Sequence, residues 1–310
     1  MVELIKNPNI NFIGKRRYAF IFSGVLTIIG IVAIIFTAME KANLGVDFAG
    51  GSLVQISFKN PVTSDALRQA LISNKLAESE IQQTAEANRV LIRTRKEKVE
   101  GEKIDERIRK IFGKEFKGNR FVIERVEEVG PKVGKELRGK AMWAIFWAVI
   151  AITLYIAFRF EFRFGIAAAI ATLHDVLAVY GIVWITNREI TLLTITALLT
   201  LAGYSLTDTV VVFDRIRENL KLRRKEAYDV IINSSINEVL SRTIVTTLTV
   251  FLVLLALIIR GSHVTFDFCL ALLIGIVIGT YSSIYVASPI LVEWHLLATK
   301  KVKLTSNSRQ

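Results

Sequence analysis

Apolar residues gather into six long runs bounded by charged stretches, at roughly 18–38, 141–158, 164–186, 190–213, 241–259 and 266–292. About 20 consecutive apolar residues cross a bilayer as a helix, so each run predicts a transmembrane helix. Between the first and second runs lie about 100 residues of a different pattern. In "SLVQISF" (52–58), Val54, Ile56 and Phe58 alternate with Gln55 and Ser57, which is strand periodicity. "TSDALRQALISNKL" (63–76) offers Thr63 or Ser64 as a helix cap and places Leu67, Leu71 and Ile72 at helical spacing. "RVLIRTR" predicts a strand, "KIDERIRKIFGKEF" a helix with Ile104, Ile108, Ile111 and Phe112 on one face, and "RFVIERVEEVG" a closing strand; 82–87 is a further candidate strand. The pattern predicts a polytopic α-helical membrane protein with six transmembrane helices. One exported α+β domain of ferredoxin-like type separates the first helix from the second.

Lysine and arginine in the short connections set the orientation. With the N-terminus inside, the inner segments collect Lys15, Arg16 and Arg17, Arg159 and Arg163, the run from Arg215 to Lys225, and Lys300, Lys301 and Lys303. The two short outer loops hold only Arg188 and Arg260. The expected layout is a cytoplasmic segment 1–17, a first transmembrane helix 18–38, an extracytoplasmic domain 39–139, a five-helix membrane region 140–296 and a cytoplasmic tail 297–310. The long first run and the lack of a small-residue cleavage site after it favour a retained anchor over a secretory signal.

Composition then narrows the function. The 310 residues are 52% hydrophobic yet 22% charged, with a net charge of +12. Placed as above, the excess is a topology signal and a contact with lipid headgroups rather than a nucleic-acid footprint. The single cysteine, Cys269, lies in an apolar run, so no intrachain disulfide framework is expected. The sequence has no nucleotide loop, nucleophile elbow or metal-ligand spacing. An enzyme acting on a covalent bond is therefore not expected, and neither is a cofactor or a metal.

Charges inside the apolar runs carry the chemistry, because an Asp or Arg at a helix centre costs about 2.5 to 3.5 kcal/mol on insertion scales and so faces a partner or water. His174 and Asp175 fall mid-run in the third segment, Asp208 toward the inner end of the fourth, and Arg242 toward the inner end of the fifth. Asp208 and Arg242 are each 17 residues from position 225 in the connection, which puts them at similar depth. Thr196, Thr200, Tyr204 and Asp208 follow at i, i+4; Arg242, Thr246 and Thr249 form a second polar stripe. Two such faces suit a proton relay, while a buried Asp–Arg pair that only fixes helix packing is the competing reading. Asp175 and His174 are weaker relay candidates. "GIVIG" (275–279) has small-residue spacing for close helix approach.

"GVDFAGG" (45–51), "VGPKVGKEL" (129–137) and "GYSLTDTVVVFDRIREN" (203–219) together resemble the SecD/SecF family of bacterial protein-export membrane subunits. The exported region is much smaller than that of SecD, which favours the SecF branch. The resemblance implies an RND-like auxiliary subunit of the Sec translocase in the bacterial cytoplasmic membrane. Such a subunit works with SecD beside the SecYEG channel and uses the proton-motive force to promote preprotein export, with H+ as the coupling ion. It implies that Asp208 and Arg242 are the intramembrane relay residues, with a further acidic residue on SecD. Asp47, Gly50 and Gly51 are candidate hinge residues. An RND-type small-molecule or lipid exporter subunit and a non-conducting assembly subunit are the alternatives.

Overall fold

A computed structural model describes residues 8–74, 76, 79–83, 88–94, 103–261 and 263–307. The chain divides into two compact units, residues 44–142 and residues 1–43 with 143–310.

In the smaller unit a one-turn helix α2 (Val46–Ala49) leads into β1 (Gly51–Phe58). There follow α3 (Ser64–Ser73), β2 (Ser79–Gln83), β3 (Arg89–Thr94), α4 (Ile104–Glu115) and β4 (Phe121–Val129). The sheet is antiparallel with order β2-β3-β1-β4, the βαββαβ arrangement of a ferredoxin-like domain. Val54, Ile56 and Phe58 point into the core against Leu67, Leu71, Ile108 and Phe112. Gln55, on the opposite face, is also buried and donates to Glu124 Oε2 at 2.7 Å. Thr63 is the cap of α3. Ile72, expected on the buried face of that helix, is instead exposed, and Ala70 is buried in its place. At 100° per residue the stripe set by Leu67 runs through positions 70 and 71, one step short of 72. The fourth strand is β2, which ends at Gln83; residues 84–87 of the candidate strand lie outside the described residues.

Six helical segments are long and apolar enough to cross a membrane, Ile13–Ala38, Pro131–Arg159, Phe162–Ile185, Leu192–Leu222, Tyr228–Arg260 and Thr265–Lys300; the start of Pro131–Arg159 lies in the smaller unit and all the rest in the larger. They comprise α1 (Arg16–Ala38), α5 (Pro131–Arg159), α6 (Phe162–Ile185), α7 (Leu192–Leu222), α8 (Tyr228–Arg260) and a last span. That span is α9 (His263–Ser282), a π turn (Ser283–Ala287) and α10 (Ser288–Asn307) in succession. At about 1.5 Å per residue, α7 with 31 residues and α8 with 33 outrun a hydrocarbon core of about 30 Å, so their charged ends emerge from it.

The centre of this unit is α6, buried on nearly every face. Its Gly181 meets Gly30 of α1 so closely that a Cβ on Gly30 would lie 2.2 Å from the Leu177 carbonyl oxygen. On the other side Gly275 and Gly279 of α9 receive Leu201 and Ser205 of α7, which gives the small-residue spacing its structural use. The π turn has a local cause. Pro289 has no N–H and its ring clashes with the carbonyl four residues back, so the helix takes one wide turn before it. Ser288 Oγ donates to the Ser283 carbonyl at 2.8 Å, satisfying a group that the wide turn loosens.

Candidate functional site

Asp208 sits half-buried on α7, where Ser283 Oγ donates to its Oδ2 at 2.8 Å. Beside it is a cavity of about 100 Å³ lined by Tyr204, Thr207, Asp208, Val211, Arg242, Thr243 and Thr246. That is room for several waters. Arg242 of α8 is exposed and reaches this cavity without an ion pair to Asp208 among the described residues. The two groups share a space rather than a bond, so water placed between them would carry any exchange. Thr243, buried on the same wall, turns its hydroxyl toward the Asp208 carboxyl.

The two threonine stripes behave alike. Thr200 donates to the Thr196 carbonyl at 2.8 Å, Thr207 to Gly203 at 3.1 Å, Thr246 to Arg242 at 3.1 Å and Thr249 to Thr246 at 2.7 Å. Each hydroxyl proton is turned back on its own helix, leaving an oxygen lone pair outward. Thr196, Thr200, Thr207, Arg242, Thr246 and Thr249 are all exposed in this chain. A guanidinium and a row of hydroxyls at membrane depth do not face lipid tails in a stable protein.

His174 and Asp175 form a second and better enclosed cluster. Asp175 is 0% exposed and His174 4%. His174 Nδ1 lies 2.9 Å from Asp175 Oδ1, while Ser205 and Ser282 donate to Asp175 Oδ2 at 2.5 Å and 2.7 Å. One carboxyl thus gathers α6, α7 and α9. Sequence reading singled out Asp175 and missed Ser205, Ser282 and Ser283. Serine in an apolar helix carries no charge signal; the usable sign was a Ser–Ser pair six residues before a proline in the last span.

Asp47, Gly50 and Gly51 lie where α2 passes into β1. Gly50 and Gly51 adopt φ of 74° and 123°, in the region that favours glycine. A Cβ on Gly134 would stand 2.9 Å from the Phe48 carbonyl oxygen. The "GVDFAGG" and "VGPKVG" stretches therefore pack on each other within the smaller unit, backbone to backbone.

Where α7 ends and α8 begins, Glu238 binds Arg215 and Arg223, the latter at 2.8 Å, and accepts from Asn219 Nδ2 at 3.0 Å. Arg223, part of the basic run between these helices, is thereby a tie between them. Asn233 and Asn237 of α8 clasp the chain before α1. Their Oδ1 atoms accept from the N–H groups of Phe12 and Ile10 at 2.8 Å and 2.9 Å.

Carboxyls among six helices able to span a membrane, an uncovered polar face and a ferredoxin-like domain inserted after the first helix define a polytopic transport subunit. The family model "Protein export membrane protein SecD/SecF, C-terminal" matches residues 110–297, and "SecD/SecF GG Motif" matches 41–62. The chain is 46% identical over 292 residues to the protein translocase subunit SecF of Thermodesulfovibrio yellowstonii, covering 94% of this chain and 96% of that protein. It is 44% identical to that of Calditerrivibrio nitroreducens, covering 93% and 95%. The crystal structure of SecDF from Thermus thermophilus, a translocon-associated membrane protein, matches with a TM-score of 0.82 at 36% identity over 93% of this chain. This chain spans 39% of that SecDF chain. The super-membrane-facing form of SecDF matches with a TM-score of 0.68 at 35% identity, over 99% of this chain and 41% of that one. The chain belongs to the SecD/SecF family of protein-export membrane proteins.

Proposed function

We propose that this chain is the SecF subunit of a bacterial Sec preprotein translocase, working with SecD beside SecYEG to draw preproteins out under the proton-motive force. The observation that carries the reading is Asp208, held by Ser283 against a cavity with room for several waters that Arg242 also lines. In this mechanism Asp208 takes up and releases the proton. Arg242 supplies a fixed positive charge on the wall of the same cavity, so a proton arriving at or leaving Asp208 passes within its field.

The uncovered threonine faces of α7 and α8 receive SecD, consistent with the SecDF chain being larger than this one. One elementary charge crossing 100 mV is worth about 2.3 kcal/mol, roughly a fiftyfold bias on a two-state equilibrium. The packed turn at Gly50 and Gly51, inside the exported domain, receives that bias as a rigid unit with the start of α5.

Membranes containing the complex with Asp208→Asn should insert and assemble normally and lose the part of preprotein export that depends on the proton gradient. Export that keeps its full gradient dependence in this variant removes Asp208 as the coupling group.

A further inference from the structure

Ser282 and Ser283 make the same choice twice. Ser282 Oγ lies 2.7 Å from Asp175 Oδ2 and 3.1 Å from the Gly279 carbonyl; Ser283 Oγ lies 2.8 Å from Asp208 Oδ2 and 3.0 Å from the Thr280 carbonyl. A hydroxyl has one proton, so each serine donates either to a carboxylate on another helix or to its own helix three residues back. Being consecutive, with Ser282 closing α9 and Ser283 opening the π turn, the two side chains are fixed relative to each other about the helix axis. The register that presents one therefore presents the other.

We propose that Asp175 is a positioning residue for Asp208, holding α9 through Ser282 in the register that offers Ser283 to the Asp208 carboxylate. Asp175 suits this role because it is rigidly held. His174 orients one carboxylate oxygen, Ser205 and Ser282 share the other, and all four side chains are buried. Asp208 is the half-open partner, and the proton exchanges there. When Asp208 gains a proton its O–H can donate to Ser283 Oγ, and the serine proton turns to the Thr280 carbonyl. The exchange moves one hydrogen bond and breaks no covalent bond. The π turn begins at Ser283, so the segment that must adjust is the one already wound loosely. The other ionisable groups around the two carboxyls are His174 on α6, Tyr204 on α7, Arg242 on α8 and Tyr281 on α9.

The inference rests on Asp208 being the proton-binding group, and the experiment separates the two ideas. The chain co-reconstituted with its SecD partner in liposomes is assayed for proton uptake across a pH series, with Ser282→Ala, Asp175→Asn, Ser283→Ala and Asp208→Asn. Ser282→Ala and Asp175→Asn should each displace the midpoint of the pH profile by about one unit, a tenfold change in proton binding. Asp175→Asn should add nothing in the Ser283→Ala background. Ser282→Ala removes a single oxygen, so it reports even where Asp175→Asn assembles poorly. Unmoved profiles in Ser282→Ala and Asp175→Asn, or an undiminished Asp175→Asn shift without Ser283, overturn the positioning role while Asp208→Asn is inactive. Uptake retained in Asp208→Asn overturns the Asp208 reading itself and the positioning role with it.

Discussion

Gly50 and Pro131 touch backbone to backbone: a Cβ on Gly50 would fall 2.7 Å from the Pro131 Cα. With φ at 74°, Gly50 is excluded from alanine both by its own conformation and by its neighbour. Gly50→Ala should therefore lower the thermal midpoint of the purified chain, at a cost above about 1 kcal/mol. Gly113 supplies the control. It lies within α4 with nothing near its added Cβ, and Gly113→Ala should stabilise by about 0.5 to 1 kcal/mol. Midpoints that move the same way in both variants would refute the assignment of Gly50 to a close approach.

The contact between Gly30 and Gly181 predicts a membrane counterpart. The obstacle at Gly30 is the Leu177 carbonyl, part of the α6 backbone, which cannot rotate away as a side chain would. Gly30→Ala forces α1 off α6 and disturbs the Thr37 to Tyr180 hydroxyl contact at 2.7 Å one to two turns further on. Overpacking of this kind costs about 1 to 3 kcal/mol. Melting in detergent should show it, and Gly24→Ala on the same helix, with open space at its Cβ, should leave the midpoint in place.

The spans and the ferredoxin-like domain were legible because each rests on a periodicity that burial enforces along a single element. Val54, Ile56 and Phe58 alternate because one face of β1 is core. Asp208 and Asp175 were legible because charge in an apolar run has few inexpensive explanations. What the sequence concealed depends on pairs of elements. Equal distance from position 225 suggests that Asp208 and Arg242 lie at one depth, yet it does not say that a cavity stands between them. Nor does any one-dimensional pattern reveal that Ser282 and Ser283 address carboxyls on different helices. Ile72 was misplaced because a hydrophobic residue one position off the stripe looks, by spacing alone, like part of it.

The asparagine clasp predicts a local and measurable effect. Asn237 both accepts from the Ile10 N–H and donates to the Ile10 carbonyl, each at 2.9 Å. Asn237→Ala loses both bonds, whereas Asn237→Asp keeps an acceptor and loses the donor. Hydrogen exchange at the Ile10 amide should rise strongly in the alanine variant and modestly in the aspartate variant, with amides at the centre of α6 unchanged as an internal reference. Equal protection of Ile10 in all three proteins would show that the asparagines do not hold this segment.

Pro289 gives the last test, since it separates a helix defect that is merely tolerated from one that is used. Pro289→Ala restores an N–H and removes the ring, so the last span can continue as regular α-helix through 283–287. Helix propensity alone then predicts a protein at least as stable as the parent. Straightening the turn also alters how Ser283 meets Asp208 and removes the reason for Ser288 to satisfy the Ser283 carbonyl. The expected outcome is an equal or higher thermal midpoint with reduced gradient-dependent export in the assembled complex. Ser288→Ala should show a smaller loss of the same sign, because it takes one hydrogen bond from the turn and leaves its winding intact. A Pro289→Ala complex that exports at the parental rate would mean that the wide turn only accommodates a ring, and that Ser283 finds Asp208 equally well from a regular helix.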